Sequence, residues 1–187
     1  MTRDAPAVER ELKFSLDELE ALRERLIELD AERVNPGAFE DNWVLDRDDE
    51  LKAKGCLLRL RKDGQGAVIT FKGPASFDGG VKERTESETR VGNLEEARRL
   101  FEQLGYHAVR RYQKVREEWY LGAVTIALDH TPIGDFVEFE GSGAETVAKR
   151  CGFDLTKAER HTYLEIYDER VRQDPTLPRE MVFPDKD

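Results

Sequence analysis

Glu9, Glu11 and Lys13 alternate with Arg10, Leu12 and Phe14, so an extended backbone there carries all three charged groups on one side. Carboxylates spaced this way can hold a hard divalent cation, and an adjacent ammonium can meet the anion that the cation accompanies. The same alternation recurs along the chain. Arg59 and Arg61 lie opposite Leu58 and Leu60, and Val68, Thr70 and Lys72 lie opposite Ile69 and Phe71. Lys114 and Arg116 share a face with Glu118, Asp129 opposes Val124, Ile126 and Leu128, and Glu138 and Glu140 oppose Val137 and Phe139.

Charge at period two most often marks the solvated face of an antiparallel sheet. Recurrence around many strands argues for the opposite orientation, because an acidic surface has no use for clustered Arg59, Arg61, Lys72, Lys114 and Arg116. If the sheet closes with these faces inside, cations and carboxylates share one cavity. Single buried charges cost several kcal/mol each, so they must be paired, hydrated or bound to ions. A triphosphate chelated to Mg²⁺ or Mn²⁺ satisfies both sets: Arg and Lys meet phosphate oxygens, and carboxylates meet the metal.

The elements that must position these groups can be read from periodicity. Val8–Phe14 predicts a strand, and Ser15 with Glu18 predicts the N-cap of a helix running to about Asp30. Asn35-Pro36-Gly37 reads as a turn, Phe39–Asp46 as a strand, and Asp48–Gly55 as a polar connection. Strands follow at Cys56–Lys62 and Ala67–Lys72, then a loop to Gly80 and a charged strand at Val81–Val91. Asn93 and Glu96 cap a second helix that ends near Gly105. Val109–Leu121, Val124–Asp129 and Asp135–Glu140 bring the expected strand count to eight. Helices are predicted at Ala144–Arg150 and Thr162–Arg172. The expectation is one domain over residues 1–173, followed by a polar, Pro-containing tail over 174–187.

The bulk properties exclude other classes. A chain of 187 residues with net charge −10 and a pI near 5.0 is a poor match for nucleic acid or an anionic membrane. Glu9, Arg10 and Glu11 fall where a signal peptide needs an apolar core, and no stretch has the length of a membrane span, which predicts a soluble, cytoplasmic protein. Cys56 and Cys151 are the only cysteines, expected as buried, reduced thiols. His107, His130 and His161 form no metal-ligand spacing, and Trp43 and Trp119 read as packing residues. Arg110 and Arg111 read as exposed, and Asp41 and Asp46 as weak acidic candidates.

Glu9-Arg10-Glu11-Leu12-Lys13 resembles the ExExK signature of the CYTH superfamily, the triphosphate tunnel metalloenzymes. The resemblance extends in order through Arg59-Leu60-Arg61, Thr70-Phe71-Lys72-Gly73-Pro74, the Glu86 and Glu88 strand, Lys114-Val115-Arg116, Leu128-Asp129, Gly134 to Glu140 and Tyr163-Leu164-Glu165. It implies an α+β fold: an eight-stranded antiparallel closed β-barrel, or tunnel, with helices packed outside. It further implies that Arg59, Arg61, Lys72, Lys114 and Arg116 grip phosphates, that Glu9, Glu11, Asp129, Glu138 and Glu140 organise Mg²⁺ or Mn²⁺, and that Lys13 sits beside the phosphate chain with Glu9 and Glu11 at the catalytic centre. Glu86 and Glu88 share a face with Lys82, Arg84 and Arg90, which fits either a tunnel wall or a self-paired outer surface.

Leu104-Gly105-Tyr106-His107 and Asp129 to Phe136 look similar to the class IV adenylyl cyclase branch. That likeness implies conversion of ATP to cyclic AMP and diphosphate. A hydrolase of thiamine triphosphate, a nucleoside triphosphate or tripolyphosphate is the alternative, and a non-catalytic polyphosphate or nucleotide sensor is a second. The implied partner is a triphosphate-bearing small molecule, with the protein a monomer or homodimer.

Overall fold

In a computed structural model, residues 7–78 and 80–184 are described. Strands β1 (Ala7–Leu16), β2 (Glu32–Asp46), β3 (Leu57–Asp63), β4 (Gly66–Lys72), β5 (Ser76–Asp78), β6 (Val81–Val91), β7 (His107–Leu121), β8 (Val124–Thr131) and β9 (Gly134–Glu140) form one antiparallel sheet. Its order is β1-β9-β8-β7-β2-β3-β4-β6, and β6 pairs back onto β1 from Ala7↔Glu86 to Glu11↔Lys82. That last pairing closes an eight-stranded barrel, as the sequence predicts. β5 adds three residues to the edge of β6 outside the ring.

Helices α1 (Leu19–Glu28), α2 (Glu50–Ala53), α3 (Leu94–Gln103), α4 (Ala144–Arg150) and α5 (Tyr163–Gln173) surround it. The main apolar core lies between barrel and helices: Leu12, Phe14, Trp119, Ile126, Leu128, Val137 and Phe139 pack against Leu22 and Leu26 of α1 and Val147 and Ala148 of α4. Because side chains alternate along a strand, burying these residues outward turns their neighbours inward. Trp119 also donates to Glu117, which Arg23 of α1 and Arg33 of β2 bind from outside. A second cluster joins Leu45, Leu58 and Leu60 to Leu51 of α2 and Ala97 of α3. A third, around Phe136, Tyr163, Tyr167 and Met181, joins α5 and the C-terminal segment to the barrel.

Some boundaries differ from the sequence reading. Ser15 caps no helix. Its backbone belongs to β1, opposite Phe136 of β9, and α1 begins after Glu18 without a side-chain cap. Asn35-Pro36-Gly37 is not a connection between elements. It lies inside β2, where the register slips between Arg33 and Ala38 and the Gly37 amide donates to the Asn35 side chain at 3.0 Å. Turn chemistry here builds a bulge, favoured because β7 pairs along all of β2. The polar connection after Asp46 contains the single turn α2, and Asp46 accepts from the amides of Arg47, Leu51 and Lys52. Cys56 and Cys151 are unpaired and half-buried rather than fully buried.

The Asn93 side chain caps α3 by accepting from the amides of Glu95 and Glu96, and Thr162 with Glu165 forms a reciprocal capping box on α5. The C-terminal segment docks where β7 outruns β8. Met181 accepts from the Gln113 amide at 2.8 Å and donates to the Arg111 carbonyl at 3.1 Å, covering a strand edge that would otherwise be open. Its side chain is fully buried, and Phe183 stacks on His130. Met181→Ala is therefore expected to cost about 2–5 kcal/mol, the usual range for emptying a buried apolar site. Urea denaturation followed by far-UV circular dichroism checks this.

Candidate functional site: a doubly charged tunnel

The barrel encloses a cavity of about 450 Å³. Glu9, Glu11 and Lys13 of β1, Arg59 and Arg61 of β3, Lys72 of β4, Lys114 and Arg116 of β7, and Glu138 and Glu140 of β9 all line it. The alternation along each strand therefore converges on one space. β6 contributes Lys82, Arg84, Glu86 and Glu88, which resolves that strand as tunnel wall, while Arg90 at its end is half exposed. Thr162, Tyr163 and Leu164 at the start of α5 reach the same cavity.

Asp129 departs from the expectation. It is fully buried and absent from the cavity wall. Its carboxylate accepts from Arg116 at 2.7 and 2.5 Å, from Lys114 at 2.9 Å and from the Tyr163 hydroxyl at 2.7 Å. With both oxygens taken, it braces the two β7 cations from behind rather than facing a ligand. Asp41 is occupied outside the barrel by a two-point pair with Arg111, and Arg110 pairs with Asp168. Arg110 and Arg111 are thus anchored, not free. His130 and His161 each bind a nearby carboxylate, Asp135 and Glu159, and neither lines the cavity.

Sequence reasoning missed several members. Tyr112 lines the cavity and accepts from Arg59 at 3.2 Å, and Tyr163 lies under the Lys13 ammonium at 4.3 Å from the ring centre. Glu40 and Asn42 of β2 are buried in the interior, facing Lys114 and Tyr112 across the ladder. Their signal was present as the even positions of Phe39–Asp46, yet no second charge of like kind repeated beside them.

The charges are paired across strands. Lys72 meets Glu9 at 2.6 and 2.7 Å and Glu86 at 3.0 Å, and Lys82 meets Glu11 at 2.8 Å. Burial alone would lower the Lys72 pKa, and Arg59 adds to that, but Glu9 and Glu86 raise it above the ordinary lysine value. Lys13 behaves in the opposite way. Burial dominates over Glu138 and Glu11 and lowers its pKa, while its ammonium donates to the His161 carbonyl at 2.9 Å. Arg116 binds Glu138 closely, and although burial would raise the Glu138 carboxyl, Arg116, Lys114 and Lys13 hold it well below the usual range.

Glu140 has no ion pair or hydrogen bond among the described residues, and it stands directly opposite Glu11 on β1. Burial and the neighbouring Glu9 push its carboxyl up to about 7. Like charges facing across a ladder are unfavourable unless a cation lies between them. The donor set Glu9, Glu11, Glu138 and Glu140 consists of oxygens alone, which suits Mg²⁺ or Mn²⁺. Among the described residues, no group of three or more His, Cys, Asp or Glu is already gathered as a metal cage, because Lys72 and Lys82 occupy Glu9 and Glu11. The residues fit a divalent cation that arrives together with an anion for those lysines.

The chain matches the CYTH domain over residues 7–168. It belongs to the CYTH family. Proteins of this family bind triphosphate substrates, generally with a divalent cation. A Methanocaldococcus jannaschii protein whose name proposes adenylate cyclase activity is 27% identical over 136 residues, spanning 72% of this chain and 77% of its own. A solved Pyrococcus horikoshii structure is 26% identical with a TM-score of 0.73, covering 87% of this chain and 99% of that one. A Hippeastrum protein described as an adenylyl cyclase candidate with a dominant triphosphatase activity shares the fold at 15% identity and a TM-score of 0.62, over 87% and 96% of the two chains. Among the described residues of the CYTH chain, no helix is long and apolar enough to cross a membrane.

The Glu140 environment sets a pH dependence in metal-free protein. Its native pKa lies above the ordinary 4.5, so its contribution is intact below that value and is lost as pH rises through about 7. In EDTA, Glu140→Gln should raise the melting temperature at pH 8 and leave it unchanged at pH 4. An equal shift at both pH values would contradict the like-charge assignment.

Proposed function

We propose that the protein is a metal-dependent enzyme that seats a triphosphate chain in the tunnel and hydrolyses it at the terminal phosphorus. The observation that carries this reading is the wall itself, which presents cations and carboxylates along its length and, among the described residues, no free aromatic platform for a base. Its two tyrosines are only 8% and 7% exposed: Tyr112 is held by Arg59, and Tyr163 lies beneath Lys13. The substrate is taken to be a soluble triphosphate-bearing small molecule met in the cytoplasm.

Arg59, Arg61, Lys72, Lys114 and Arg116 would take the phosphate oxygens, and guanidinium groups can do so at two points each. Asp129 and Tyr163 keep Lys114 and Arg116 from swinging, which is the preorganisation that makes cations effective at a developing charge. When bound, Mg²⁺ or Mn²⁺ held by Glu9, Glu11, Glu138 and Glu140 supplies Lewis acidity and makes a bound water more acidic. As phosphate draws Lys72 and Lys82 away, Glu9 and Glu11 become free for that role.

Lys13 is the candidate proton acceptor. Its lowered pKa increases the neutral fraction able to take a proton from water as the oxygen attacks. One P–O bond forms to the terminal phosphorus, the bridging P–O bond breaks, and orthophosphate leaves with the diphosphate-bearing remainder as the second product. A cyclase is the second reading, supported by the name of the Methanocaldococcus jannaschii relative. In that reaction the ribose 3′-hydroxyl replaces water, attacks the α-phosphorus and releases diphosphate.

Purified protein incubated with ATP, thiamine triphosphate or tripolyphosphate, each with Mg²⁺ or Mn²⁺, separates these outcomes when products are resolved by mass. Orthophosphate release supports the hydrolase, cyclic AMP with diphosphate supports the cyclase, and no turnover of any substrate rejects both. Arg61→Ala and Glu138→Gln should each lower kcat/KM by about a hundredfold or more, the scale of losing one transition-state contact, with circular dichroism unchanged.

A further inference from the structure

Glu40 lies behind the phosphate-binding cations instead of among them. It sits on β2 opposite Lys114, is 4% exposed, and is not part of the cavity wall. Its Oε1 is 3.6 Å from Arg61 and its Oε2 is 3.7 Å from Lys114, distances that bind by charge without consuming the donors. Asp129, by contrast, holds its cations in close hydrogen bonds. Burial would raise the Glu40 carboxyl, but Lys114, Arg116, Arg61 and Arg59 together hold it down to about 2, so it is ionised at every working pH.

Two residues further along β2, Asn42 is fully buried, opposite Arg61 and Tyr112, and both polar atoms of its side chain lack a partner. Glu40 Oε2 and the Nε atoms of Arg59 and Arg61 are also buried without hydrogen-bond partners. Donors and acceptors mixed around an ionised carboxylate suit ordered water, not an anion.

We propose that Glu40 is a positioning residue of the tunnel: with Asn42 and ordered water it forms a back wall that fixes Arg61 and Lys114, and its charge limits how tightly they grip an anion. The proposal rests on the triphosphate reading above. It predicts a split that general damage to the fold does not produce, because removing the charge strengthens the field seen by the anion while loosening the groups that generate it.

Calorimetric titration with inorganic tripolyphosphate in EDTA, paired with turnover of the same compound in Mg²⁺, tests this. Glu40→Gln should bind about tenfold more tightly, as expected for one fewer negative charge near the ligand, and turn over about tenfold more slowly. Asn42→Asp adds a carboxylate to the same wall at nearly constant volume and should weaken binding about tenfold; it carries the test if Glu40→Gln does not fold. Unchanged or weaker binding by folded Glu40→Gln, or unchanged binding by Asn42→Asp, overturns the role of Glu40 while leaving the triphosphate reading intact. Failure of the parent protein to bind tripolyphosphate overturns both.

Discussion

The pairing of β6 with β1 is the contact on which the rest depends. It turns a sheet with one charged face into a ring whose charges face one another. In an open sheet Lys72 and Glu9 would each be solvated, and their attraction would be worth little. In the closed ring they are desolvated together, and either one alone would be costly. The apolar residues that normally fill a small barrel lie outside it, where Leu12, Ile126 and Phe139 meet α1 and α4. Stability is thus supplied by an external core, and the interior is left free for charge.

Buried carboxylates in this interior fall into two groups with different environments. Asp129 and Glu40 stand behind the cations, and Glu40 is held at about 2 by the surrounding positive groups. Glu140 stands on the wall opposite Glu11 and is pushed up to about 7. The contrast follows from the neighbours: four cations surround Glu40, whereas Glu140 faces another carboxylate across the ladder. Lys72 and Lys82 bridge to carboxylates on the wall, whereas Lys114 and Arg116 bridge to Asp129 behind it, and Arg116 also binds Glu138 on the wall.

Much of this was legible because strand alternation is a strict period, and Arg59-Leu60-Arg61 or Glu138-Phe139-Glu140 has only one way to place its apolar residues in a core. The eight strands and the shared parity of the wall residues follow from that pattern, whereas closure of the sheet into a ring was implied by the family resemblance. What was not legible depends on neighbours distant in sequence. Asp129 has the right parity for the interior, but its burial is set by Tyr163, which arrives on α5. Glu40 and Asn42 look unremarkable within Phe39–Asp46 until β3 and β7 surround them. The local signals at Ser15 and at Asn35 to Gly37 were overridden by the ladders with β9 and β7, which demand backbone hydrogen bonds wherever those strands extend. The C-terminal segment is polar in composition, so the burial of Met181 depends on the uncovered edge of β7.

The tunnel is also polar along its axis. On β1, Glu9 and Glu11 precede Lys13, and of the three it is Lys13 that lies over the ring of Tyr163, which packs against Phe136. The amide of Glu159 donates to the Lys13 carbonyl, and the Lys13 ammonium donates to the His161 carbonyl, so the segment leading into α5 is fastened to this one residue from both sides. Burial accounts for the lowered lysine pKa, since an ammonium set over a tyrosine ring loses solvation that Glu138, at 3.8 Å, only partly returns. A single strand thereby carries carboxylates paired with Lys72 and Lys82 and, further along, a lysine held by the segment leading into α5, and the difference between them comes from which elements pack over each.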